Sequence, residues 1–197
     1  MKETGKYQPY NYFQLMEVSL RELLVEKGIV TEAQVAATVE DMRNRTPERG
    51  ARVVAHAWSD PEFKRKLLAD GTRACEELGL DVPALRLVAV ENTPAVHNMI
   101  VCTLCSCYPR MLLGIPPDWY KSRNYRSRAV REPRAVLAEF GLHLNLATEI
   151  RVHDSTADMR YLVLPMRPAG TEGWSEQQLA AIVSRDCMIG VAVPRIA

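Results

Sequence analysis

The stretch Val101-Cys102-Thr103-Leu104-Cys105-Ser106-Cys107-Tyr108 is the most informative part of the sequence. It gathers three of the five cysteines within six residues, and it directly follows a short strand-like run over residues 98–101. A loop that begins where a strand ends can turn three side chains towards one point. Residues Cys102–Cys107, called the cysteine loop below, therefore predict a metal site.

Several kinds of site use clustered cysteines. A redox pair needs two cysteines at the start of a helix, and no helix is predicted directly after Cys102. Structural zinc and iron–sulfur clusters need a fourth protein ligand, and no further cysteine or histidine has close partner spacing. A fourth interpretation uses the backbone: the deprotonated amide nitrogens of Ser106 and Cys107 would complete a square plane with the sulfurs of Cys105 and Cys107. Cys102 would then lie on the axis, and this N/S donor set suits a trivalent low-spin metal with one open position.

Outward from the cysteine loop, the sequence predicts an α+β fold. A helical N-terminal region is expected over residues 1–80, with helices near 13–24, 31–45, 51–58, 61–71 and 73–78. A mixed α/β body that carries the metal site is expected over residues 81–197. Its strands are predicted at 86–90, 98–101, 149–153, 161–164 and 189–193, and its longer helices at 133–140 and 175–185.

Composition excludes several classes of partner. The chain has 197 residues, of which 47% are hydrophobic, enough for a globular core. Lys and Arg total 25 against 24 Asp and Glu, and this balance predicts no binding to nucleic acid or to an acidic membrane surface. The apolar runs are too short to span a bilayer, and the sequence begins without an apolar signal segment. We therefore expect a cytoplasmic protein without a disulfide framework.

The cysteine loop and further blocks of sequence resemble the α subunit of nitrile hydratases. The loop, Cys-Thr-Leu-Cys-Ser-Cys, is similar to the metal-binding signature of that family. The resemblance covers most of the chain, through the blocks Glu91-Asn-Thr-Pro94, Pro116-Pro-Asp-Trp-Tyr-Lys121, Tyr125-Arg-Ser-Arg128, Val136-Leu-Ala-Glu139, Glu149-Ile-Arg-Val152, Arg167-Pro-Ala-Gly-Thr-Glu-Gly-Trp174 and Asp186-Cys-Met-Ile-Gly-Val191. It implies a subunit of a hydro-lyase, a carbon–oxygen lyase that converts a nitrile to the corresponding amide.

The resemblance assigns roles within the cysteine loop. Cys102 is implied to be an unmodified axial thiolate, Cys105 to be oxidised to cysteine sulfinic acid and Cys107 to cysteine sulfenic acid. The main-chain nitrogens of Ser106 and Cys107 are the other implied ligands. The candidate catalytic residues are Cys107, Ser106 and Cys105, to which we add Arg110, three residues beyond the loop.

The resemblance also implies a cofactor and partners. Family members with threonine after the first cysteine usually bind cobalt, so Thr103 implies one cobalt(III) per α subunit rather than iron(III). The family's site lies at an interface where arginines of a β-type subunit hydrogen-bond the oxidised sulfurs. We therefore expect a heteromer with one or more β-type subunits, with residues 1–80 packed on the partner. A small activator protein is expected to assist cobalt loading.

Three positions depart from the family pattern and bear on the substrate. Hydratase α subunits commonly have Trp-Pro where this chain has Arg110-Met111, and Met166 stands where a glutamine often precedes the Arg-Pro-Ala-Gly block. A glutamine expected near Pro83 is also absent. Together these changes predict a bulky or heteroaromatic nitrile. The metal-bearing subunit of thiocyanate hydrolase carries an arginine after Tyr-Pro, so a thiocyanate hydrolase-like enzyme is one alternative and a non-catalytic metal-binding module is another.

The remaining polar and sulfur-containing residues have ordinary interpretations. We expect His97 to make a hydrogen bond at a strand edge and not to bind metal, and Cys75 and Cys187 to be buried. Tyr120 is expected either to pack in the core or to line the pocket. The basic stretch over residues 121–134 predicts a solvated or intersubunit face, unless some of its arginines lie beside the anionic site.

Overall fold

A computed structural model describes residues 10–82 and 86–196. In these residues helices and strands follow one another as α1 (Tyr12–Glu26), α2 (Glu32–Asn44), α3 (Pro47–Ser59), α4 (Pro61–Ala69), α5 (Gly71–Glu77), β1 (Arg86–Glu91), β2 (Val96–Val101), α6 (Arg110–Leu113), α7 (Asp118–Lys121), α8 (Arg123–Arg131), α9 (Pro133–Glu139), β3 (Glu149–Asp154), β4 (Met159–Leu164), α10 (Glu176–Ala181) and α11 (Arg185–Ile189). The predicted α+β organisation is confirmed.

Helices α1 and α2 begin at residues that cap them. Asn11 and Gln14 form a reciprocal capping box at the start of α1. Thr31 and Gln34 form the predicted box before α2, where the Thr31 N–H donates to Gln34 Oε1 at 2.8 Å and the Gln34 N–H donates to Thr31 Oγ1 at 3.1 Å. Neither helix contains a buried residue in the described chain. Many of their apolar side chains are exposed among the described residues.

Helices α3 to α5 belong to the hydrophobic core. One face of α3 is fully buried through Val53, Val54 and Ala57, and this helix packs against α6, α10 and α11. Asp60 caps α4 as predicted, because its carboxylate accepts from the N–H groups of the first turn. Consequently the chain divides into units of residues 1–43 and 44–197. The second unit thus contains α3 to α5 together with the cysteine loop, and the predicted packing of residues 1–80 on a partner stays a prediction.

Two pairs of parallel strands position the cysteine loop. β1 pairs with β4, from Arg86 opposite Met159 to Glu91 opposite Leu164. β2 pairs with β3, and its last residue, Val101, lies opposite Asp154. Parallel neighbours need long connections, and the segment between β2 and β3 contains the cysteine loop and α6 to α9. β2 and β3 thus end side by side, immediately before the first cysteine.

The predicted strand over residues 189–193 is wrong. Ser184 caps α11 by accepting from the Cys187 N–H, and the helix ends at Gly190, which has a left-handed backbone with φ of 89°. The N–H groups of Gly190, Val191 and Ala192 then donate back to the Asp186 carbonyl oxygen. The apolar run reflects burial, since Ile189 and Val191 are fully buried, and not strand pairing.

None of the helices among the described residues is both long enough and apolar enough to cross a membrane.

Candidate metal centre

The cysteine loop begins at the buried end of β2. The Val101 carbonyl oxygen accepts from the Ser155 N–H at 2.7 Å, which ties the last residue of β2 to the residue after β3. Cys102 follows at once and is only 1% exposed. The chain then turns outwards, and Cys105 is exposed whereas Cys107 is half-buried. The loop returns to the core at Tyr108, which is buried.

The three sulfur atoms of the loop lie together. The Cys102 and Cys105 sulfurs are 3.4 Å apart, and the Cys105 and Cys107 sulfurs are 3.2 Å apart. All three atoms lie within 4.8 Å of one another, and no other such group of cysteine, histidine or acidic residues occurs in the part of the chain that the structure describes. These separations are too long for a disulfide, and the thiols are free. Three soft donors around one solvent-accessible point fit a thiolate-bound transition metal.

The thiols of Cys105 and Cys107 differ in pKa. Hydrogen bonds from the Cys107 and Cys102 thiols, followed by one from the Ser106 N–H, lower the pKa of Cys105 to about 7. Burial, followed by the hydrogen bond to Cys105, raises the pKa of Cys107 to about 12. Of these two thiols, Cys105 therefore loses its proton first. The N–H of Cys107 also lowers the pKa of Cys105, so the amides of Ser106 and Cys107 both lie near that sulfur.

Asp154 and Arg126, which are distant in sequence, hold the first half of the loop. Asp154, at the end of β3, accepts from the Thr103 N–H at 2.9 Å and from the Thr103 hydroxyl at 2.5 Å. Arg126, on α8, donates through Nη1 to the carbonyl oxygens of Leu104 at 3.0 Å and Thr103 at 3.4 Å. Within the loop, the Cys105 N–H donates to the Cys102 sulfur at 3.2 Å. The loop is thus fixed from a strand and from a helix.

Tyr120 holds the second half of the loop from the core. Its ring is fully buried, and its hydroxyl donates to the Cys107 carbonyl oxygen at 2.9 Å. Its ring also packs edge-on against Tyr108, with the two centroids 5.1 Å apart. Of the two predicted roles for Tyr120, core packing is therefore the one the structure supports.

Sequence reasoning missed two of these contacts. Asp154 received no role, although its place at the end of a predicted strand was a signal that it could reach a neighbouring loop. The basic stretch that contains Arg126 predicted a solvated or intersubunit face, or some arginines beside the anionic site, but Arg126 itself was not singled out. Its contact with the loop depends on α8, which was not predicted and in which only Tyr125 and Ala129 are buried. Since both contacts span more than 20 residues, spacing alone could not reveal them.

Arg110, Met111 and Met166 lie in different surroundings. Arg110 begins α6, is exposed, and makes no side-chain hydrogen bond to the described residues. Met111 is buried in the core. Met166 lines a cavity of about 340 Å³, together with His97 and other residues that do not include the cysteine loop. The expected position near Pro83 lies outside the described residues.

His97 and the two remaining cysteines lie apart from the sulfur cluster. His97 is buried, with Nε2 2.7 Å from the Gly190 carbonyl oxygen and Nδ1 3.2 Å from the Asn92 side-chain nitrogen. It makes ordinary hydrogen bonds, as predicted. Cys75 and Cys187 are buried, also as predicted, and burial raises the pKa of each thiol, that of Cys75 to about 12.

Comparison with known proteins shows what this chain resembles. Residues 11–192 match the family described as nitrile hydratase, alpha chain. The cobalt-containing nitrile hydratase subunit alpha of Pseudonocardia thermophila is 52% identical over 176 residues, which cover 88% of this chain and 86% of that one. The thiocyanate hydrolase subunit gamma of Thiobacillus thioparus is 46% identical over 197 residues, or 93% of this chain and 80% of the relative.

A solved structure gives the same likeness in three dimensions. It is that of a recombinant thiocyanate hydrolase comprising partially modified cobalt centres. It superposes with a TM-score of 0.89 at 44% identity, and the match covers 95% of this chain and 92% of that one. The fold around the cysteine loop is therefore shared with an enzyme that contains cobalt centres.

Proposed function

This chain belongs to the family of nitrile hydratase α chains, and from that premise we propose that it is the cobalt(III)-binding subunit of an enzyme that hydrates nitriles to amides. The observation that carries the proposal is the gathering of the Cys102, Cys105 and Cys107 sulfurs within 4.8 Å on one anchored loop. The donor set is soft and becomes anionic on ionisation. It is also reachable from solvent through the exposed Cys105.

Five atoms of the loop would hold the metal. They are the three sulfurs and the main-chain nitrogens of Ser106 and Cys107. Burial supports the proposed pattern of oxidation, because Cys102 is shielded from oxidants whereas Cys105 is exposed and Cys107 half-buried. Cys102 then stays a thiolate, Cys105 becomes a sulfinate and Cys107 a sulfenate. The low pKa of Cys105 favours the same order, since the thiolate is the form that is oxidised.

The loop residues would hold the cobalt and carry out hydration beside it. When bound, the trivalent cobalt supplies Lewis acidity there. The sulfenate oxygen of Cys107 either attacks the nitrile carbon or takes the proton of an attacking water. The hydroxyl of Ser106, an exposed residue, would orient the substrate. If the sulfenate oxygen attacks, its S–O bond breaks as the amide forms, and the oxygen of a water restores the sulfenate; if water attacks, its oxygen goes directly to carbon. In both routes the net reaction adds one oxygen to carbon and two hydrogens to nitrogen, without net oxidation or reduction.

The charge of the loaded site calls for donors from a partner. A trivalent metal with three anionic sulfur groups and two deprotonated amides carries a formal charge of about −2, which is costly to bury unpaired. On this chain, burial raises the pKa of Cys107 and the charge of Arg160 offsets only part of that rise, while Arg126 donates to the loop backbone. The exposed Cys105 has no cation of its own among the described contacts. Arginines of a β-type subunit would complete the site in a heteromer.

The first two helices offer a surface for that partner. Phe13, Leu15 and Met16 are each more than half exposed, as is Leu20. An exposed apolar face of this kind marks an interaction site. We therefore place the β-type subunit on the helical N-terminal region, and we expect cobalt loading by an activator protein in the cytoplasm.

The substrate class is proposed from Arg110, three residues beyond the cysteine loop. This exposed cation has no ion-pair partner among the described residues and stands where a hydratase usually carries tryptophan, which favours a bulky or heteroaromatic nitrile over a small aliphatic one. Met111 and Met166 also depart from the family pattern, but Met111 is buried in the core and Met166 lines a cavity that does not include the cysteine loop. Arg110 is thus the position on which the preference rests.

A thiocyanate hydrolase-like activity is the second candidate. It is favoured by Arg110 together with the 46% identity to a thiocyanate hydrolase subunit. That reaction would release carbonyl sulfide and ammonia from the same kind of site.

Turnover by the complex of this chain with its β-type subunit, made in cobalt medium, separates the candidates. Acrylonitrile, a cyanopyridine and thiocyanate are supplied in turn, and the amides, carbonyl sulfide and ammonia are measured. We expect amide from both nitriles, faster from the cyanopyridine, and Arg110→Trp should reverse that preference. Faster carbonyl sulfide release would instead establish the second candidate, and no turnover would leave a metal-binding module.

Cysteine variants provide the control. Cys107→Ala should abolish turnover because it removes a proposed ligand and its oxygen. Cys187→Ala, which truncates a buried thiol outside the cluster, should retain it. Equal activity of the two variants would contradict the assignment of the site.

A further inference from the structure

We propose that Arg126 is a positioning residue that directs one peptide N–H of the cysteine loop at the Cys102 sulfur. This inference rests on the proposed function, because its importance lies in the donor strength of the axial thiolate. Arg126 itself does not touch a sulfur or a substrate. It acts through the peptide group that joins Leu104 to Cys105.

The contact begins at α8. Ser122 caps this helix by accepting from the Tyr125 N–H at 3.1 Å, and Arg126 lies in its first turn, with its N–H bonded to the Ser122 carbonyl oxygen. Its half-buried guanidinium reaches the loop and donates to two consecutive carbonyl oxygens, those of Thr103 and Leu104. Both contacts come from one nitrogen, Nη1, whose N–H groups lie in the rigid guanidinium plane, whereas the donors of a lysine ammonium rotate freely.

The second step is a property of the peptide bond. A trans peptide group is planar, and its C=O and N–H point in opposite directions. In the Leu104–Cys105 group the C=O accepts from Arg126 at 3.0 Å, while the N–H donates to the Cys102 sulfur at 3.2 Å. The guanidinium therefore fixes the rotation of this plane. The cation also polarises the group, so that the N–H becomes a stronger donor.

The third step concerns the sulfur. Cys102 is 1% exposed, so water cannot replace a lost N–H donor. The proposed chemistry requires this sulfur to remain an unmodified thiolate. A hydrogen bond from the Cys105 N–H withdraws charge from that thiolate and weakens its donation to the metal. Outer contacts of this kind orient metal ligands and tune the metal.

The neighbouring arginines have other partners, which makes the assignment specific. Arg128 pairs with two glutamates, Arg131 donates to a carbonyl oxygen of its own helix, and Arg134 donates to carbonyl oxygens of the segment before β3. Arg123 is exposed and makes no side-chain hydrogen bond to a described residue. Among the described arginines of this basic stretch, Arg126 alone donates to the cysteine loop.

The first test uses the metal-free full chain. It is treated with iodoacetamide, and labelling of each cysteine is followed by peptide mass. Among the three cysteines of the loop, Cys105 should react first and Cys102 last in the wild type. In Arg126→Gln the Cys102 thiol should react about 10-fold faster, whereas the surface control Arg123→Gln should match the wild type. Arg126→Lys should fall between, because an ammonium keeps the charge but not the fixed direction of the Nη1 donors.

The second test uses the complex with the β-type subunit. The cobalt concentration that half-loads the complex should rise by about 10-fold in Arg126→Gln, because a loop that is no longer held in its binding arrangement loses more affinity than stronger donation from the Cys102 thiolate restores. The sulfur-to-cobalt charge-transfer absorption should shift in that variant and not in Arg123→Gln.

The outcomes distinguish the two proposals. Wild-type labelling, loading and absorption in Arg126→Gln would overturn this inference and leave the proposed function standing. A wild-type complex that takes up no cobalt would overturn the proposed function instead, and the labelling of the metal-free chain would still decide the role of Arg126. If Arg126→Gln fails to fold, as judged by thermal unfolding, Arg126→Lys decides, and wild-type behaviour of that variant would overturn the inference.

Discussion

Asp154 binds Thr103 with both of its carboxylate oxygens, one receiving the backbone N–H and the other the side-chain hydroxyl. Asp154 is the last residue of β3, and Thr103 is the second residue after β2, its partner strand. The parallel register thus carries a carboxylate from one strand to the loop that leaves the other. This pairing fixes the backbone between the first two cysteines before any metal binds.

The Thr103 hydroxyl should therefore contribute to stability. Thr103→Val keeps the shape of the side chain but removes the hydroxyl, and it should lower the free energy of unfolding by about 1 kcal/mol, a modest value because both residues are exposed. Thr103→Ser keeps the hydroxyl and should stay within about 0.5 kcal/mol of the wild type. Urea unfolding measures both. A Thr103→Val variant as stable as Thr103→Ser would contradict the role of this hydrogen bond.

The hydroxyl of Tyr120 should matter more for the loop than that of Tyr125. Both rings are buried, and their hydroxyls donate to the carbonyl oxygens of Cys107 at 2.9 Å and of Ile100 at 2.7 Å. Each change to phenylalanine should cost about 1–2 kcal/mol of unfolding free energy. Only Tyr120→Phe should also increase the rate at which iodoacetamide labels Cys107 in the metal-free chain. Equal labelling of the two variants would count against the contact.

Gly190 should tolerate no side chain. Its φ is 89°, and an added Cβ would lie 2.1 Å from the Asn98 carbonyl oxygen. Gly190→Ala should destabilise the protein by more than about 4 kcal/mol, because backbone on both sides would have to move. Gly141 has a φ of 76° with nothing within 4 Å of an added Cβ, so Gly141→Ala should cost only about 1–2 kcal/mol. Thermal unfolding that ranked them equally would refute this packing.

Stability should fall on the acid side through His97. Burial lowers the pKa of this histidine below its ordinary value of 6.5, and its hydrogen-bonding partners, Asn92 and Gly190, are uncharged. The unfolded chain therefore binds a proton near pH 6 that the folded chain does not. The histidine's contribution is complete above about pH 7, and it declines below pH 6.5 by up to about 1.4 kcal/mol per pH unit. Burial lowers the pKa of His153 too, which adds to the decline.

Urea unfolding between pH 7.5 and 5.5 measures that slope. His97→Gln should reduce it, whereas His143→Gln, at an exposed position, should leave it unchanged. A slope that survives in His97→Gln at its wild-type value would assign the effect to other groups.

The sequence predicted the parts of the fold that depend on local signals. The capping box at Thr31 predicted the start of α2, and the cap at Asp60 predicted the start of α4. The apolar runs predicted the four strands of the two parallel pairs. The apolar run over residues 189–193 predicted a strand that the structure does not contain, because a short buried segment has the same composition at the end of a helix as in a strand. Gly190 was the overlooked sign that a helix ended there.

The site was predictable only in its first layer. Three cysteines within six residues indicated a metal site, and the structure brings their sulfurs together. The side chains that hold the loop, Asp154 and Arg126, come from β3 and α8, whose approach depends on tertiary packing. The periodicity and spacing of residues in the sequence do not predict such long-range contacts. The ligand atoms themselves remain a prediction.

Metal analysis of the assembled complex, joined to the mass of the peptide that contains residues 102–107, tests the central claim most directly. The complex is made with its β-type subunit in cobalt medium. The account predicts one cobalt per chain, two added oxygen atoms on Cys105, one on Cys107 and none on Cys102. Zinc or no metal, together with three unmodified thiols in a correctly assembled complex, would contradict it.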